Sequence, residues 1–454
     1  MNTSSSSLGT AELLALDRQH VWHPCTQMSD HEWLPMLAIA RAEGAYLFDS
    51  SGKRYLDAIS SWWTCLLGHR HPAIMAALHA QLEQLDHVIF AGCTHAPATE
   101  LASVLCQLCG FDKVFYADIG SAAVEVALKL SFHYWQNIGQ PNKTRFICLS
   151  GSYHGETLGA LSVTDVALYR KTYGAILLNP IITPSPDAFL APFGVSPEAW
   201  ALQQADQLET ILSAQHHQVC ALILEPLVQC AGGMRMYHPV YLKRARQLCD
   251  QYGVHLIADE IAVGFGRTGT MFACEQADVR ADFLLLGKGL TGGVLPLAAV
   301  LTTNAVFEQF YAPHAALKAF LHSHSFTANP LACAAALATV RAMQQENTLQ
   351  ANLSRIAHLK KSLKRFENQP NIGDIRQTGM IAAIELVQDV AAKTPFDWRE
   401  RRGMAVYQYG LNHGMLLRPL GNVVYFMPPF CLSNAETDEM LEVAASGIAV
   451  ALRG

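Results

Sequence analysis

The stretch of sequence that decides the fold is 255–293, HLIADEIAVGFGRTGTMFACEQADVRADFLLLGKGLTGG. It contains two short apolar runs, His255–Ala258 and Phe283–Leu286, which have the length and composition of buried parallel strands. Asp259 directly follows the first run, and Lys288 comes shortly after the second. Because ligands bind at the carboxyl ends of the strands in open α/β sheets, the sequence predicts that these two side chains meet at one binding edge.

A lysine and a carboxylate at one edge of a sheet are the two groups that a pyridoxal 5′-phosphate (PLP) enzyme requires. The lysine amine forms a covalent linkage with the cofactor, and the carboxylate pairs with the ring nitrogen so that the ring can accept electrons. Lys288 and Asp259 therefore predict this cofactor. The glycines of 264–269 match the GxGxxG pattern of dinucleotide-binding proteins, but that pattern must open a helix directly after a strand, and here 259–263 intervenes. We interpret 264–269 as a structural loop.

Composition narrows the possible partners and the compartment. The chain has 454 residues, of which 51% are hydrophobic, and it is long enough for two domains. A net charge of −6 without a long basic run argues against nucleic acid or a membrane surface as a partner. The Ser-rich start lacks the basic and apolar parts of a signal peptide, and no apolar run reaches the length of about 18 residues that spans a membrane. The 12 scattered cysteines predict reduced thiols, and we expect a cytoplasmic protein.

Apolar runs of strand length alternate with helical patterns over most of the chain. This alternation predicts an α/β fold with a doubly wound, mostly parallel sheet and helices on both of its faces. Beyond about residue 335 the pattern changes to long helices followed by a β-region, which predicts a smaller α+β domain at the C-terminal end.

Three other segments offer groups for a site at the sheet edge. Gly120 and Ser121 follow a predicted strand and open a helical run, where free backbone N–H groups can bind phosphate. Tyr153 follows another predicted strand and is suited either to stacking on a planar cofactor or to anchoring a buried loop. Arg418, at a predicted strand end, can bind a carboxylate through a bidentate contact of its guanidinium, or it can form a surface salt bridge.

Two residue pairs allow more than one interpretation. His322 and His324 are spaced as metal ligands can be, but no Cys, Asp or Glu stands near them at ligand spacing, so we expect no metal. The adjacent Trp62 and Trp63 follow a predicted strand, and one of them could face a ligand or both could cover the core.

The order Asp259-Glu260-Ile261, then Gly264–Gly269, then Lys288 resembles the class III PLP-dependent aminotransferases. Other runs resemble the branch of that family that aminates 8-amino-7-oxononanoate in biotin biosynthesis. These runs are Trp22-His23-Pro24, Ser60-Ser61-Trp62-Trp63, His95-Ala96-Pro97, Gly232–Pro239, Asn329–Ala334 and Met427-Pro428-Pro429. The alternative is another ω-aminotransferase of the ornithine or 4-aminobutyrate type, since those share the Asp and Lys core.

The resemblance implies roles at the cofactor. Lys288, Asp259 and Tyr153 would be the catalytic residues, and Tyr153 and Ile261 would pack on the two faces of the cofactor ring. The complete set implied to bind the cofactor is Gly120, Ser121, Tyr153, Asp259, Ile261, Lys288, His324 and Ser325.

The resemblance also implies an architecture. It predicts the type I fold of PLP-dependent transferases, with a large PLP-binding domain at 61–334, a small C-terminal α+β domain at 335–454 and an N-terminal segment, 1–60, packing with the small domain. His324 and Ser325 occupy positions that complete the phosphate site of a neighbouring subunit. We therefore expect a homodimer with shared active sites.

The substrate-binding set implied by the resemblance is Trp62, Tyr153, Lys288, Ser323, Arg418 and Cys25. Arg418 would hold the carboxylate of the keto acid, and Trp62 would lie along its methylene groups. The chain departs from the family at Cys25, where an aromatic residue is common, at 323–325, where well-known members have Gly-Pro-Thr, and at Glu156, where Asp is usual. We expect S-adenosylmethionine as the amino donor, with lysine as the alternative.

Overall fold

A seven-stranded sheet forms the centre of the fold. The structure is a computed structural model, and it describes residues 8–34 and 36–453. Neighbouring strands of this sheet are parallel, except that Ala298–Thr302 runs antiparallel to both of its neighbours. The predicted mostly parallel sheet is therefore confirmed. In spatial order, the strands are Lys113–Ala117, Ala298–Thr302, Phe283–Leu286, His255–Asp259, Val219–Leu224, Arg145–Leu149 and Ile181–Thr183.

Both faces of the central strands are apolar, so helices cover both faces. Successive side chains of a strand point to opposite faces, and accordingly Leu222 and Leu224 lie in one core while Ile223 lies in the other. Helices on the first face are Pro72–Leu82, Ala96–Cys109, Pro197–Gln215, Val240–Tyr252 and Pro330–Gln345. Helices on the second face are Gly120–Asn137 and Leu158–Ser162.

Two four-stranded sheets are formed by the N- and C-terminal parts of the chain. The first contains Ile39–Glu43, Tyr46–Asp49, Arg54–Asp57 and Met415–Leu416, and the second contains Ile372–Thr378, Ile381–Asp389, Thr394–Pro395 and Val423–Phe426. A separate apolar core joins Leu56 to Phe366 and Met440. The remaining right-handed α-helices are Thr10–His20, Ala167–Tyr173, Asn304–Phe307, Thr348–Leu363, Arg402–Asn412 and Asn434–Ala451, and Ser60–Trp63 forms a left-handed helical turn. None of the helices in the described ranges is both long and apolar enough to cross a membrane.

The topology gathers polar side chains at one edge of the large sheet. Its parallel strands all end on the same side, so the residues that follow them share that edge. The residues in question are Gly120 after Lys113–Ala117, Tyr153 after Arg145–Leu149, Glu225 after Val219–Leu224, Asp259 at the end of its strand, and Lys288 after Phe283–Leu286.

Candidate active site

Asp259 is held rigidly at the end of its strand. The residue is 5% exposed, and its Oδ2 accepts a hydrogen bond from Nδ1 of His154 at 2.7 Å, while its Oδ1 accepts one from the backbone N–H of Ile261 at 3.1 Å. His154 is also buried, and in the described structure its Nε2 has no hydrogen-bond partner. The sequence predicted Asp259 but gave no role to His154, which fixes the orientation of the carboxylate.

Lys288 lies close to acidic groups in a partly buried position. Burial lowers the pKa of its amine, and the nearby Cys230, Asp259 and Glu225 act in the opposite direction. A lowered pKa increases the fraction of neutral amine, which is the form that acts as a nucleophile and base. The backbone φ of Lys288 is 43°, a left-handed value that residues other than glycine rarely adopt.

Glycines allow three loops to meet beside this lysine and carboxylate. A Cβ added to Gly155 would overlap the Cβ of Ser121, and one added to Gly120 would lie 3.0 Å from Cγ2 of Ile261. The loops can therefore approach this closely only because these two positions lack side chains. Gly120 begins the helix Gly120–Asn137, whose first N–H groups have no partners within the helix and so can bind an anion.

A second group of predicted residues surrounds a guanidinium group. The central carbon of the Arg418 guanidinium lies 4.9 Å from the ring centroid of Trp62, and Nη2 of Arg418 donates a hydrogen bond to the backbone oxygen of Cys25 at 3.3 Å. Both Trp62 and Cys25 are exposed, and Arg418 is half-buried. These three residues, which come from three distant parts of the chain, form one continuous surface.

That surface continues through Cys25 to a carboxylate that binds two tyrosines. The Oε1 atom of Glu156 accepts hydrogen bonds from the hydroxyls of Tyr153 and Tyr169 at 2.9 and 2.8 Å, and the Cys25 sulfur lies 3.5 Å from the Tyr169 hydroxyl. Burial and the Glu156 carboxylate raise the pKa of Tyr153, so its hydroxyl stays protonated and donates. Tyr169 has no signal in the sequence that would have assigned it to a site. We call the residues Trp62, Arg418, Cys25, Tyr169 and Glu156 the rim.

Trp62 and Trp63 lie on a left-handed turn. The residues of 60–63 have φ values of 50°, 46°, 71° and 75°, and the turn is closed by a hydrogen bond of 2.8 Å from the N–H of Trp63 to the oxygen of Ile59. A left-handed conformation costs about 1–2 kcal/mol for each residue that is not glycine. The turn leaves Trp62 39% exposed, whereas Trp63 is buried and its ring centroid lies 4.5 Å from Nζ of Lys288.

The predicted residues of 323–325 form a further set of contacts. Nδ1 of His324 is 3.6 Å from Oδ2 of Asp118, and Nε2 of His324 is 3.0 Å from Nε2 of His322. Ser323 and Ser325 are exposed, and neither side chain forms a hydrogen bond within the described part of the chain. This segment therefore touches the loop that precedes Gly120.

Comparisons with known proteins agree with one another. The profile of the family "aminotransferase class-III" matches residues 27–447. An adenosylmethionine-8-amino-7-oxononanoate aminotransferase of Helicobacter pylori is 44% identical over 93% of this chain and 94% of its own length, and one of Geobacter sulfurreducens is 42% identical over 95% and 96%. The crystal structure of an adenosylmethionine-8-amino-7-oxononanoate aminotransferase from Methanocaldococcus jannaschii has a TM-score of 0.92 at 33% identity and covers 97% of this chain and 99% of its own. An omega transaminase from Pseudomonas jessenii, solved in complex with PMP, has a TM-score of 0.92 at 30% identity, with coverages of 97% and 98%.

The chain belongs to the class III aminotransferases. It has the type I fold of PLP-dependent transferases and is a PLP-dependent aminotransferase, so the enzyme class and cofactor predicted from the sequence are confirmed. The residues present fit this cofactor. Lys288 offers an amine of lowered pKa, Asp259 a buried and oriented carboxylate, and Gly120 a helix start beside a glycine-lined gap.

Proposed function

We propose that the protein converts 8-amino-7-oxononanoate to 7,8-diaminononanoate in biotin biosynthesis, with S-adenosylmethionine as the amino donor. The names of its relatives in Helicobacter pylori and Geobacter sulfurreducens contain both substrates. The observation that carries the proposal is the pairing of Arg418 with Trp62, whose ring centroid is 4.9 Å from the guanidinium carbon. A guanidinium binds a carboxylate with two hydrogen bonds, and a flat apolar ring beside it suits a chain of methylene groups.

The proposed reaction is a ping-pong transamination. In the first half-reaction the donor leaves its amino group on the enzyme, and in the second the ketone at C7 of the acceptor receives it. When bound, PLP supplies a ring that withdraws electrons from the substrate carbon next to the amine. The amine of Lys288 would hold the cofactor covalently and, when free, would act as the general base that removes a proton from that carbon. Asp259 would pair with the ring nitrogen, and His154 holds Asp259 in place.

The other predicted residues complete this proposal. Gly120 and Ser121 would bind the cofactor phosphate at the start of their helix, while Tyr153 and Ile261 would contact the two faces of the ring. The close approach of Gly120 to Ile261 and of Gly155 to Ser121 supports this arrangement, since it brings these segments around one space. Cys25 would contact the substrate, a role supported by its contacts with Arg418 and Tyr169.

We also propose a homodimer in which His324 and Ser325 reach the phosphate site of the other subunit and Ser323 reaches its substrate. The exposure of Ser323 and Ser325 supports this assembly. So do four large apolar residues between positions 311 and 326 that are strongly exposed in the single chain, because exposed apolar surface is typical of interaction sites. These residues are Tyr311, Leu317, Leu321 and Phe326, at 79%, 78%, 78% and 58% exposure.

The division of the chain into 1–60, 61–334 and 335–454 is likewise proposed, with the helix Pro330–Gln345, which packs on the large sheet, crossing the second boundary. The pairing of Arg54–Asp57 with Met415–Leu416 supports the packing of the N-terminal segment with the C-terminal part. The separate apolar core of the C-terminal part supports an independent domain there.

Single-turnover kinetics test both substrates. When the cofactor-loaded enzyme is mixed with one donor at a time, we expect S-adenosylmethionine to bleach the visible band of the enzyme faster than lysine at the same concentration. The rings of Tyr153 and Tyr169, with centroids 6.3 Å apart, offer an apolar surface for the donor, and one aromatic contact contributes about 0.5–1.5 kcal/mol. Adding 8-amino-7-oxononanoate to the bleached enzyme should then restore the band.

Two outcomes of this experiment contradict the proposal. Bleaching by lysine without bleaching by S-adenosylmethionine would make lysine the donor. Restoration of the band by the semialdehyde products of ornithine or 4-aminobutyrate, but not by 8-amino-7-oxononanoate, would place the enzyme in another branch of the family.

Replacing Arg418 with alanine should weaken the acceptor half-reaction selectively. Hydrogen bonds between charged groups contribute about 1.5–3 kcal/mol, so KM for the keto acid should rise by about one to two orders of magnitude. The rate of bleaching by the donor should change much less. Arg418→Lys should lie between the two, because lysine keeps the charge but cannot make two parallel hydrogen bonds.

The matched control for Arg418 is Arg341→Ala. This exposed arginine is paired with exposed Glu100 at 2.8 Å, and surface pairs contribute little. Equal losses in both half-reactions of Arg418→Ala would remove Arg418 from acceptor binding.

A further inference from the structure

The left-handed turn 60–63 is held from outside by one buried carboxylate. Asp57 ends the strand Arg54–Asp57 and is 0% exposed. Its Oδ1 accepts a hydrogen bond from the N–H of Ser61 at 2.9 Å, and its Oδ2 accepts from the hydroxyl of Ser61 at 2.7 Å and from Nε2 of His69 at 2.9 Å. The carboxylate thus binds the backbone and the side chain of the same strained residue.

Two further hydrogen bonds fix the ends of the turn. The hydroxyl of Ser60 donates to the backbone oxygen of Met427 at 2.7 Å, and Nε1 of Trp63 donates to the hydroxyl of Tyr425 at 3.0 Å. Conformations of this kind persist only when the surroundings determine them several times over. At the centre of the turn, Asp57 accepts from both the N–H and the hydroxyl of Ser61, and the hydroxyl of Thr64 donates to the backbone oxygen of Ser61 at 3.2 Å.

The turn decides where the two tryptophans lie. Adjacent side chains of an extended strand would point in opposite directions, whereas in the turn Trp62 reaches the guanidinium of Arg418 and Trp63 reaches the amine of Lys288. One strained segment therefore positions both the Trp62 ring in the rim and the Trp63 ring beside Lys288. If the turn relaxes to an ordinary conformation, both rings must move.

We propose that Asp57 is a positioning residue of the active site, whose carboxylate holds the turn 60–63 so that Trp62 lies on Arg418 and Trp63 on Lys288. The part of this proposal that concerns Trp62 and the keto acid rests on the proposed function. Asp57 itself touches neither Arg418 nor Lys288 through a hydrogen bond, so it acts through the turn.

The test combines kinetics with a direct observation of the rings. Asp57→Ala removes the hydrogen bonds between Ser61 and a charged group, so Trp62 should leave its place beside Arg418. KM for 8-amino-7-oxononanoate should therefore rise by about tenfold or more, while kcat for each active site changes less. The protein contains seven tryptophans, which can be labelled as fluorotryptophan and observed in the holoenzyme by fluorine NMR. The resonances of Trp62 and Trp63 should shift, and those of the other five tryptophans should stay in place. Single Trp→Phe variants assign the resonances.

A glycine substitution provides the decisive rescue. Glycine adopts the left-handed conformation without a steric penalty, so Ser61→Gly in the Asp57→Ala background should return part of the lost affinity and move both resonances back. Asp57→Asn keeps an acceptor for the N–H of Ser61 and should show a smaller change in the same direction. If Asp57→Ala does not fold, the same measurements are made on Asp57→Asn.

The control is Asp282→Ala at the opposite edge of the large sheet. Asp282 accepts hydrogen bonds of 2.7 Å from the N–H of Leu256 and from Arg246, so its loss lowers stability without touching the turn. If the Asp57 variants and the Asp282 variant have the same KM and the same tryptophan resonances, Asp57 is only a structural residue and the proposal is wrong. If the wild-type enzyme does not use 8-amino-7-oxononanoate, the proposed function fails, while the resonances still test Asp57.

Discussion

Replacement of Lys288 by alanine is expected to reduce kcat by at least about 10,000-fold, because general acid–base catalysis alone contributes about 100- to 10,000-fold and the lysine also forms the covalent link to the cofactor. The purified wild-type protein should be yellow, and reduction with borohydride should fix the cofactor to the peptide that contains Lys288. In Lys288→Ala, reduction should label no lysine. Mass spectrometry of the digested protein checks both results.

Lys243→Ala is the matched control for Lys288. This lysine is exposed on the helix Val240–Tyr252, and its removal should leave the rate and the labelling unchanged. Labelling of any other lysine in the wild-type protein would show that the assignment of Lys288 is wrong.

Asp259→Asn should reduce kcat by about 100- to 1,000-fold, the range that follows the loss of one preorganised electrostatic group. The amide has nearly the shape of the carboxylate but no charge, so the cofactor ring nitrogen would lose its proton and the ring would withdraw electrons less effectively. The hydrogen bond of 2.7 Å to His154 can persist with the imidazole acting as an acceptor, so the fold should be retained. Measurement of kcat together with the circular dichroism spectrum separates these effects.

A cofactor analogue distinguishes this role of Asp259 from a packing role. An N-methylated PLP carries a fixed positive charge on the ring nitrogen and should restore part of the activity of Asp259→Asn. The same analogue should slow the wild-type enzyme, because the methyl group crowds the carboxylate. If the analogue restores no activity to Asp259→Asn, the lowered kcat of this variant does not result from loss of the proton on the ring nitrogen.

The sequence predicted the parts of the fold that have strong, local patterns. The runs His255–Ala258 and Phe283–Leu286 are apolar throughout because helices cover both faces of the sheet, and they were located to within one residue. Arg418 was expected at a strand end, and it lies two residues beyond the short strand Met415–Leu416. The strand Ala298–Thr302 was missed, since a short alanine-containing run has no distinctive period.

The site was predictable only where chemistry alone identifies a residue. Lys288 and Asp259 stand out because each follows an apolar run of strand length and together they are the two groups that PLP chemistry requires. Asp57 and Tyr169 have no such signal: their functions depend on contacts with Ser61 and Glu156 across the folded chain. The positive φ values of 60–63 were also invisible, because none of these residues is glycine.

The rim is assembled from separate stretches of chain, and this has a consequence for evolvability. Cys25 comes from an irregular segment, Glu156 from a loop, Tyr169 from a short helix and Arg418 from the chain after a short strand. None of them takes part in the hydrogen bonds that orient Asp259. Natural drift or laboratory selection can therefore exchange Cys25, Tyr169 or Arg418 one at a time and change which amines are accepted, while the residues that orient Asp259 stay unchanged.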